Sequence, residues 1–217
     1  MSSKNSQLSA LIETALVAAF AMALSYIPDF ASWFTPSFGA VPVVLFALRR
    51  GPKYGTLAGL IWGLLHFILG KVWYLALSQV IIEYIITFIS MGLAGFLSAP
   101  FQNALSKDNK GRALIYSTIG ATLAVFVRYF WHYVAGFIFW GSYAPKGMSP
   151  YLYSLSVNGT AGLLTLVFVI LALAIIIPTQ GKIFLVKKVN SSFSKFNTIK
   201  AKTKCLSFFS IIFVSPN

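Results

Sequence analysis

The apolar residues of this chain lie in long runs instead of alternating with polar ones. Residues 8–27, 52–69, 72–97, 113–139 and 153–177 are each nearly free of charge. At a rise of about 1.5 Å per residue, a helix over any of these runs crosses roughly 30 Å of hydrocarbon. A shorter run, 38–48, is closed by Arg49, Arg50, Gly51 and Pro52 and predicts a sixth span, strained or incomplete. The pattern therefore predicts an all-α integral membrane protein with six transmembrane helices. The first run is too long for a signal-peptide core and lacks a small-residue cleavage site, so it is read as part of the fold. No period repeats along the chain, which argues against a large inverted-repeat architecture.

Near Ser191 the composition changes to Ser, Lys and Asn, and the chain then closes on an apolar stretch, 206–214, that is too short to span a bilayer. The expected division is a membrane-embedded, substrate-binding domain over 1–190 and a poorly ordered cytoplasmic tail over 191–217. The formal charge of +13 could suggest nucleic acid, but its placement points elsewhere. Lys4, Arg49, Arg50, Lys53, Lys107, Lys110, Arg112 and the tail lysines fall on one side of six spans, against Lys71 and Lys146 on the other. That bias predicts both termini in the cytoplasm, with the basic residues as topology signals and contacts for membrane lipid, and no nucleic-acid partner. The single cysteine, Cys205, excludes an intrachain disulfide and any cysteine-based metal cluster.

This orientation places three connections on the outer side, and they are rich in aromatics: Phe30, Trp33, Phe34, Trp73, Tyr74, Trp140, Tyr143 and Tyr151, with Tyr153 nearby. An interfacial aromatic belt decorates both faces of a membrane, whereas here the rings gather on one, as the walls of an external pocket would. Within the spans, Glu83 is the acidic group set deep in an apolar run, and an intramembrane carboxylate needs a cavity or a partner. Packing against Arg128 is the structural alternative. Counted inward along a helix from Trp73, Glu83 lies about 15 Å deep; counted back from Trp140, His132 lies about 12 Å deep. His132, Gly136 and Trp140 are four residues apart and share a helical stripe, with Gly136 leaving room beside the imidazole for a flat ligand. Asn158 adds an amide that both donates and accepts. His66 is expected to be interfacial. A carboxylate, an imidazole, an amide and several aromatic faces suit a cationic heteroaromatic ligand.

The sequence holds no phosphate-binding G-x-x-x-x-G-K-[ST] loop, no H-E-x-x-H and no G-x-S-x-G. The chain can bind, but shows no means of supplying energy, and it calls for neither a cofactor nor a metal.

Trp33, Glu83-Tyr84, His132-x3-Gly136-x3-Trp140 and Tyr153-x4-Asn158, in this order, resemble the thiamine-specific substrate-binding S components of energy-coupling-factor (ECF) vitamin transporters. The resemblance runs from about Ser9 to Leu185. It implies that Glu83, His132, Trp140, Tyr153 and Asn158 hold thiamine as the transported ligand, with Trp33, Trp73, Tyr74 and Tyr84 lining the site. It also implies a transmembrane coupling subunit (T component) and two cytoplasmic ATPases as partners. Ala15, Ala19 and Ala23 form a small-residue stripe that permits close helix contact and looks like the alanine motif by which S components meet that subunit; internal packing is the alternative. An S component for another vitamin, or a small intramembrane enzyme using Glu83 and His132 as an acid–base pair, are the competing readings.

Overall fold

The computed structural model describes residues 3–27 and 36–185. Trp33 and the 191–217 tail lie outside these residues. Six helices follow in order: α1 (Ser3–Leu24), α2 (Ala40–Arg50), α3 (Pro52–Ile68), α4 (Leu77–Ser106), α5 (Lys110–Phe139) and α6 (Pro150–Gln180). Four of them, α1, α4, α5 and α6, are long and apolar enough to cross a membrane. The all-helical membrane architecture expected from the apolar runs is what the chain forms.

The expected sixth span, 38–48, is a regular helix of 11 residues, about 16 Å long, and too short to cross alone. It works instead as the centre of the bundle. Ala40, Pro42, Val43, Val44, Phe46, Ala47 and Leu48 are all buried, so nearly every face of α2 is covered. Pro42 falls in the first turn, where a missing N–H costs nothing. Gly51 then reverses the chain at φ 85°, a conformation that favours glycine, and Pro52 starts α3 immediately. The last carbonyls of α2 are capped from a distance: Gln102 Nε2 donates to Leu48 O at 3.1 Å and to Arg49 O at 2.6 Å. At the same end, Glu13 of α1 accepts from Arg50 at 2.5 Å and Arg49 at 3.3 Å, tying α1 to α2.

A stripe of glycines joins α3 to α4. A Cβ at Gly55 would lie 3.2 Å from Gly92 Cα and 2.6 Å from Ala47 Cβ; at Gly59 one would come within 2.1 Å of Phe88 O, and at Gly63 within 2.0 Å of Tyr84 O. The backbones of two antiparallel helices therefore touch over three turns, as small residues at four-residue spacing allow. Along this contact α4 departs from regular geometry, with a π-helical stretch at Ile81–Ile86 and a 3₁₀ stretch at Ser90–Leu97. Such π turns gather at functional sites, and this one contains Glu83.

The expected span 72–97 begins later and ends later than the apolar run suggests. Residues 71–76 are not helical, and α4 starts at Leu77. Side chains of α4 itself hold the preceding strand of chain: Tyr84 Oη accepts from Trp73 N at 3.0 Å, Gln79 Oε1 accepts from Leu75 N at 3.2 Å, and Gln79 Nε2 donates to Trp73 O at 3.1 Å. The last two helices have side-chain caps, from Asn109 to Arg112 N on α5 and from Ser149 to Leu152 N on α6, the latter with Pro150 in the first turn.

Candidate functional site

The functional side chains form two tiers. The tier nearer the aromatic connections is built on Glu83. Its Oε1 accepts from Trp140 Nε1 at 2.9 Å, and its Oε2 accepts from Gln79 Nε2. Glu83 makes no ion pair among the described residues, so the expected alternative of packing against Arg128 is not what the fold does. The depth arithmetic also needs correction. Because the helix starts at Leu77, Glu83 is six residues in, about 9 Å, and stands level with Trp140 instead of His132.

Gln79 was not among the residues singled out from the sequence, yet it is fully buried and holds both Glu83 and the preceding connection. The signal was present: an amide one helical turn before an intramembrane carboxylate, at the i,i+4 spacing that brings side chains together.

The deeper tier surrounds a cavity of about 270 Å³, just below the usual range of roughly 300–1,000 Å³ for ligand pockets. Its walls include His132, Asn158, His66, Trp62, Arg128 and Tyr129. His132 lies two helical turns below Trp140 on α5, so the expected stripe does connect the tiers. Asn158 Nδ2 donates to Ser154 Oγ at 3.2 Å, and that hydroxyl donates to Tyr133 O at 2.8 Å. His66, expected at the interface, is instead 7% exposed and lines the cavity, with Nδ1 2.9 Å from Trp62 O. Tyr129 is held by a hydrogen bond between its hydroxyl and Thr165 Oγ1 at 2.8 Å; the same Thr165 oxygen accepts from Ser37 N at 2.9 Å. One threonine thus pins α5 and the start of the α2 segment to α6.

Other expected positions fall elsewhere. Trp73 and Tyr74 are 75% and 67% exposed and do not line the cavity, because residues 71–76 run as an irregular connection over the end of the bundle. The Tyr84 hydroxyl is taken by the Trp73 backbone, and its ring packs against Phe67 at 5.5 Å and His66 at 6.0 Å, one layer outside the cavity. Tyr153 is half-buried near the start of α6 and is not part of the cavity wall. Gly136 does not leave room for a ligand: a Cβ there would sit 2.2 Å from Ser154 Oγ and 2.8 Å from Asn158 Nδ2, so its missing side chain lets α6 approach α5. The stripe Ala15, Ala19 and Ala23 is exposed, while Ala10, Thr14, Ala18, Ala21 and Met22 supply the buried face of α1. Internal packing is therefore not the role of the stripe.

A bundle with four helices long and apolar enough to cross a membrane, and among them a polar, aromatic cavity of small-molecule size, has the form of a membrane-embedded small-molecule-binding protein. The chain belongs to the thiamine transporter protein family, whose pattern it matches over residues 11–185. Thiamine transporter ThiT of Lacticaseibacillus paracasei is 39% identical over 198 residues, covering 88% of this chain and 97% of that protein. Thiamine transporter ThiT of Bacillus subtilis is 31% identical over 163 residues, covering 72% and 84%. A solved structure of ThiT from Listeria monocytogenes is similar with a TM-score of 0.80 at 40% identity, covering 83% of this chain and 100% of that one. The chain is accordingly a multi-pass thiamine transporter protein of a prokaryotic plasma membrane.

Proposed function

We propose that the protein captures thiamine from outside the cell as the S component of an ECF transporter and hands it to a coupling subunit and two ATPases for uptake. The observation that carries the thiamine assignment is the state of Glu83: a half-buried carboxylate whose two oxygens meet, among the described residues, only neutral donors, from Gln79 and Trp140. A fixed cation is the partner that such a group lacks. Thiazolium supplies the charge, Trp140 supplies an aromatic face worth roughly 0.5–2 kcal/mol to a cation, and the deeper cavity with Asn158 and His132 takes the aminopyrimidine. Both termini face the cytoplasm on this reading, which puts the aromatic end, and the site, outside. The resemblance, and not the geometry, is what adds the ATPases.

Thiamine is expected to quench intrinsic tryptophan fluorescence of the purified protein at submicromolar concentration, with riboflavin and biotin competing poorly. Equal competition by either would overturn the assignment.

The exposed stripe on α1 supports the partner half of the proposal. Ala19→Trp is expected to abolish thiamine uptake by cells carrying the whole transporter while leaving binding by the isolated protein nearly unchanged, since an indole separates helices that small residues let meet. Loss of both together would assign the stripe to this chain's own stability.

A further inference from the structure

At the end of the bundle away from Trp140, the α4–α5 connection and the last turn of α6 enclose a second cavity. Its volume is about 640 Å³, more than twice the 270 Å³ of the one beside His132, and the two share no wall. α5 begins at Lys110 and α6 closes at Gln180, and both helices are long and apolar enough to cross a membrane. The cavity therefore stands where the spans leave the hydrocarbon. Its walls divide by chemistry: Leu105, Ile177 and Leu185 on an apolar side, and Asp108, Lys110, Gln180 and Lys182 on a polar one.

The polar side has donors to spare. Lys110 Nζ donates to Pro178 O at 3.2 Å, a bond that ties the start of α5 to the end of α6 and uses one of the three ammonium protons. The side chains of Gln180 and Lys182 make no hydrogen bond or ion pair among the described residues. The hydroxyls of Ser106 and Thr179, also on the wall, are turned back to carbonyls of their own helix, Asn103 O at 2.9 Å and Ile175 O at 2.6 Å. Lysine is thus what the cavity offers an incoming group, and Lys107 and Arg112 flank Lys110 in the sequence with further positive charge. Asp108 makes no ion pair with any of them among the described residues.

Two ammonium groups beside an apolar wall, at the rim of two spans, match an anionic phospholipid, with its phosphate on the lysines and its first methylenes against Leu105, Ile177 and Leu185. A free anion would leave that apolar side to water, and a zwitterionic headgroup would bring a cation of its own to the lysines. Asp108 narrows the class further, because a carboxylate repels a bare phosphate but accepts from a hydroxyl. We infer that this cavity binds an anionic phospholipid whose headgroup carries hydroxyls, such as phosphatidylglycerol, and that Lys110 and Lys182 hold it so that it clamps the α4–α5 connection to the end of α6.

The test is thermal unfolding of the full chain in a neutral detergent, with phosphatidylglycerol, phosphatidylcholine or glycerol 1-phosphate added at equal concentration. A ligand bound only by the folded state raises the midpoint. Phosphatidylglycerol is expected to raise it by about 3 °C or more, and the other two by much less. Lys110→Gln combined with Lys182→Gln is expected to lose most of that increment while thiamine affinity stays near wild type, because α4 carries Glu83 near its start and this cavity at its end. Arginine at both positions keeps the charges and is expected to keep the increment. Lys202→Gln combined with Lys204→Gln removes as much charge beyond Leu185 and is expected to keep it too. Should the double glutamine variant fail to fold, Lys182→Gln alone decides, since its side chain has no bond among the described residues to lose, and it is expected to lose much of the increment. Equal increments from phosphatidylcholine or glycerol 1-phosphate, an increment that survives these glutamine substitutions, or one abolished equally by the change at 202 and 204, would overturn the inference.

Discussion

Glu83→Gln is expected to weaken thiamine binding by roughly 30-fold or more, while the protein remains folded. Removing one partner of a desolvated charge pair costs on the order of 2–5 kcal/mol, and about 1.4 kcal/mol is tenfold in affinity. The structure adds a second cost. Both oxygens of Glu83 are acceptors, for Gln79 Nε2 and Trp140 Nε1, and a glutamine offers one oxygen and one NH2. Its NH2 must face another donor unless Gln79 turns over, and turning Gln79 would break its bonds to Leu75 N and Trp73 O. The charge term is isolated by repeating the titration with an analogue whose thiazolium is replaced by a neutral ring. That analogue is expected to lose much less, and the difference between the two losses is the coupling energy of carboxylate and cation. A coupling near zero would mean that Glu83 does not face the ligand's charge.

Gly63→Ala is expected to lower the thermal midpoint and thiamine affinity together. The new Cβ would fall 2.0 Å from Tyr84 O and 3.2 Å from the Phe88 side chain. The first of these is backbone, so relief requires α3 and α4 to part, and the residue displaced is the neighbour of Glu83. Overpacking of this kind costs about 1–3 kcal/mol where a core can adjust, and more where it cannot. Gly159→Ala is the control: a Cβ there meets only Leu155 Cδ1, at 3.7 Å, so stability and binding are expected to stay near wild type. Equal behaviour of the two variants in thermal unfolding and ligand titration would remove the α3–α4 contact as the support of the site.

The number of helices, their membrane setting and the presence of the polar groups Glu83 and His132 within the apolar runs follow from one-dimensional features, because a bilayer makes long apolar runs and the exceptions within them conspicuous. The same logic shows where such counting stops. Depth in a membrane was counted from Trp73 as though the helix began there, but Gln79 and Tyr84 bind the backbone of Trp73 and Leu75 and keep 71–76 irregular. That shifted Glu83 by a turn and gave it Trp140 as its neighbour. The glycine stripe Gly55, Gly59, Gly63 was readable as a helix contact, and its importance for the site was not, because nothing local says that the facing backbone belongs to Tyr84 and Phe88.

Composition and spacing by themselves determined that this chain crosses a membrane as helices, that its aromatics gather toward one end, and that a carboxylate, an imidazole and an amide approach that end from three different helices. Tertiary structure alone decided which of these meet. It seated α2 in the middle of the bundle, placed Ser154 and Asn158 in the space beside Gly136, turned Trp73 and Tyr74 out of the cavity, brought His66 and Arg128 into its wall, and set Gln79 against Glu83. The physical reason is that helical periodicity assigns a residue to a face of its own helix, whereas the partner of that face depends on how closely backbones approach. Here that approach is set by glycines, whose spacing marks a contact but not its partner, and by side-chain hydrogen bonds reaching across to other helices, which leave no periodic mark in the sequence.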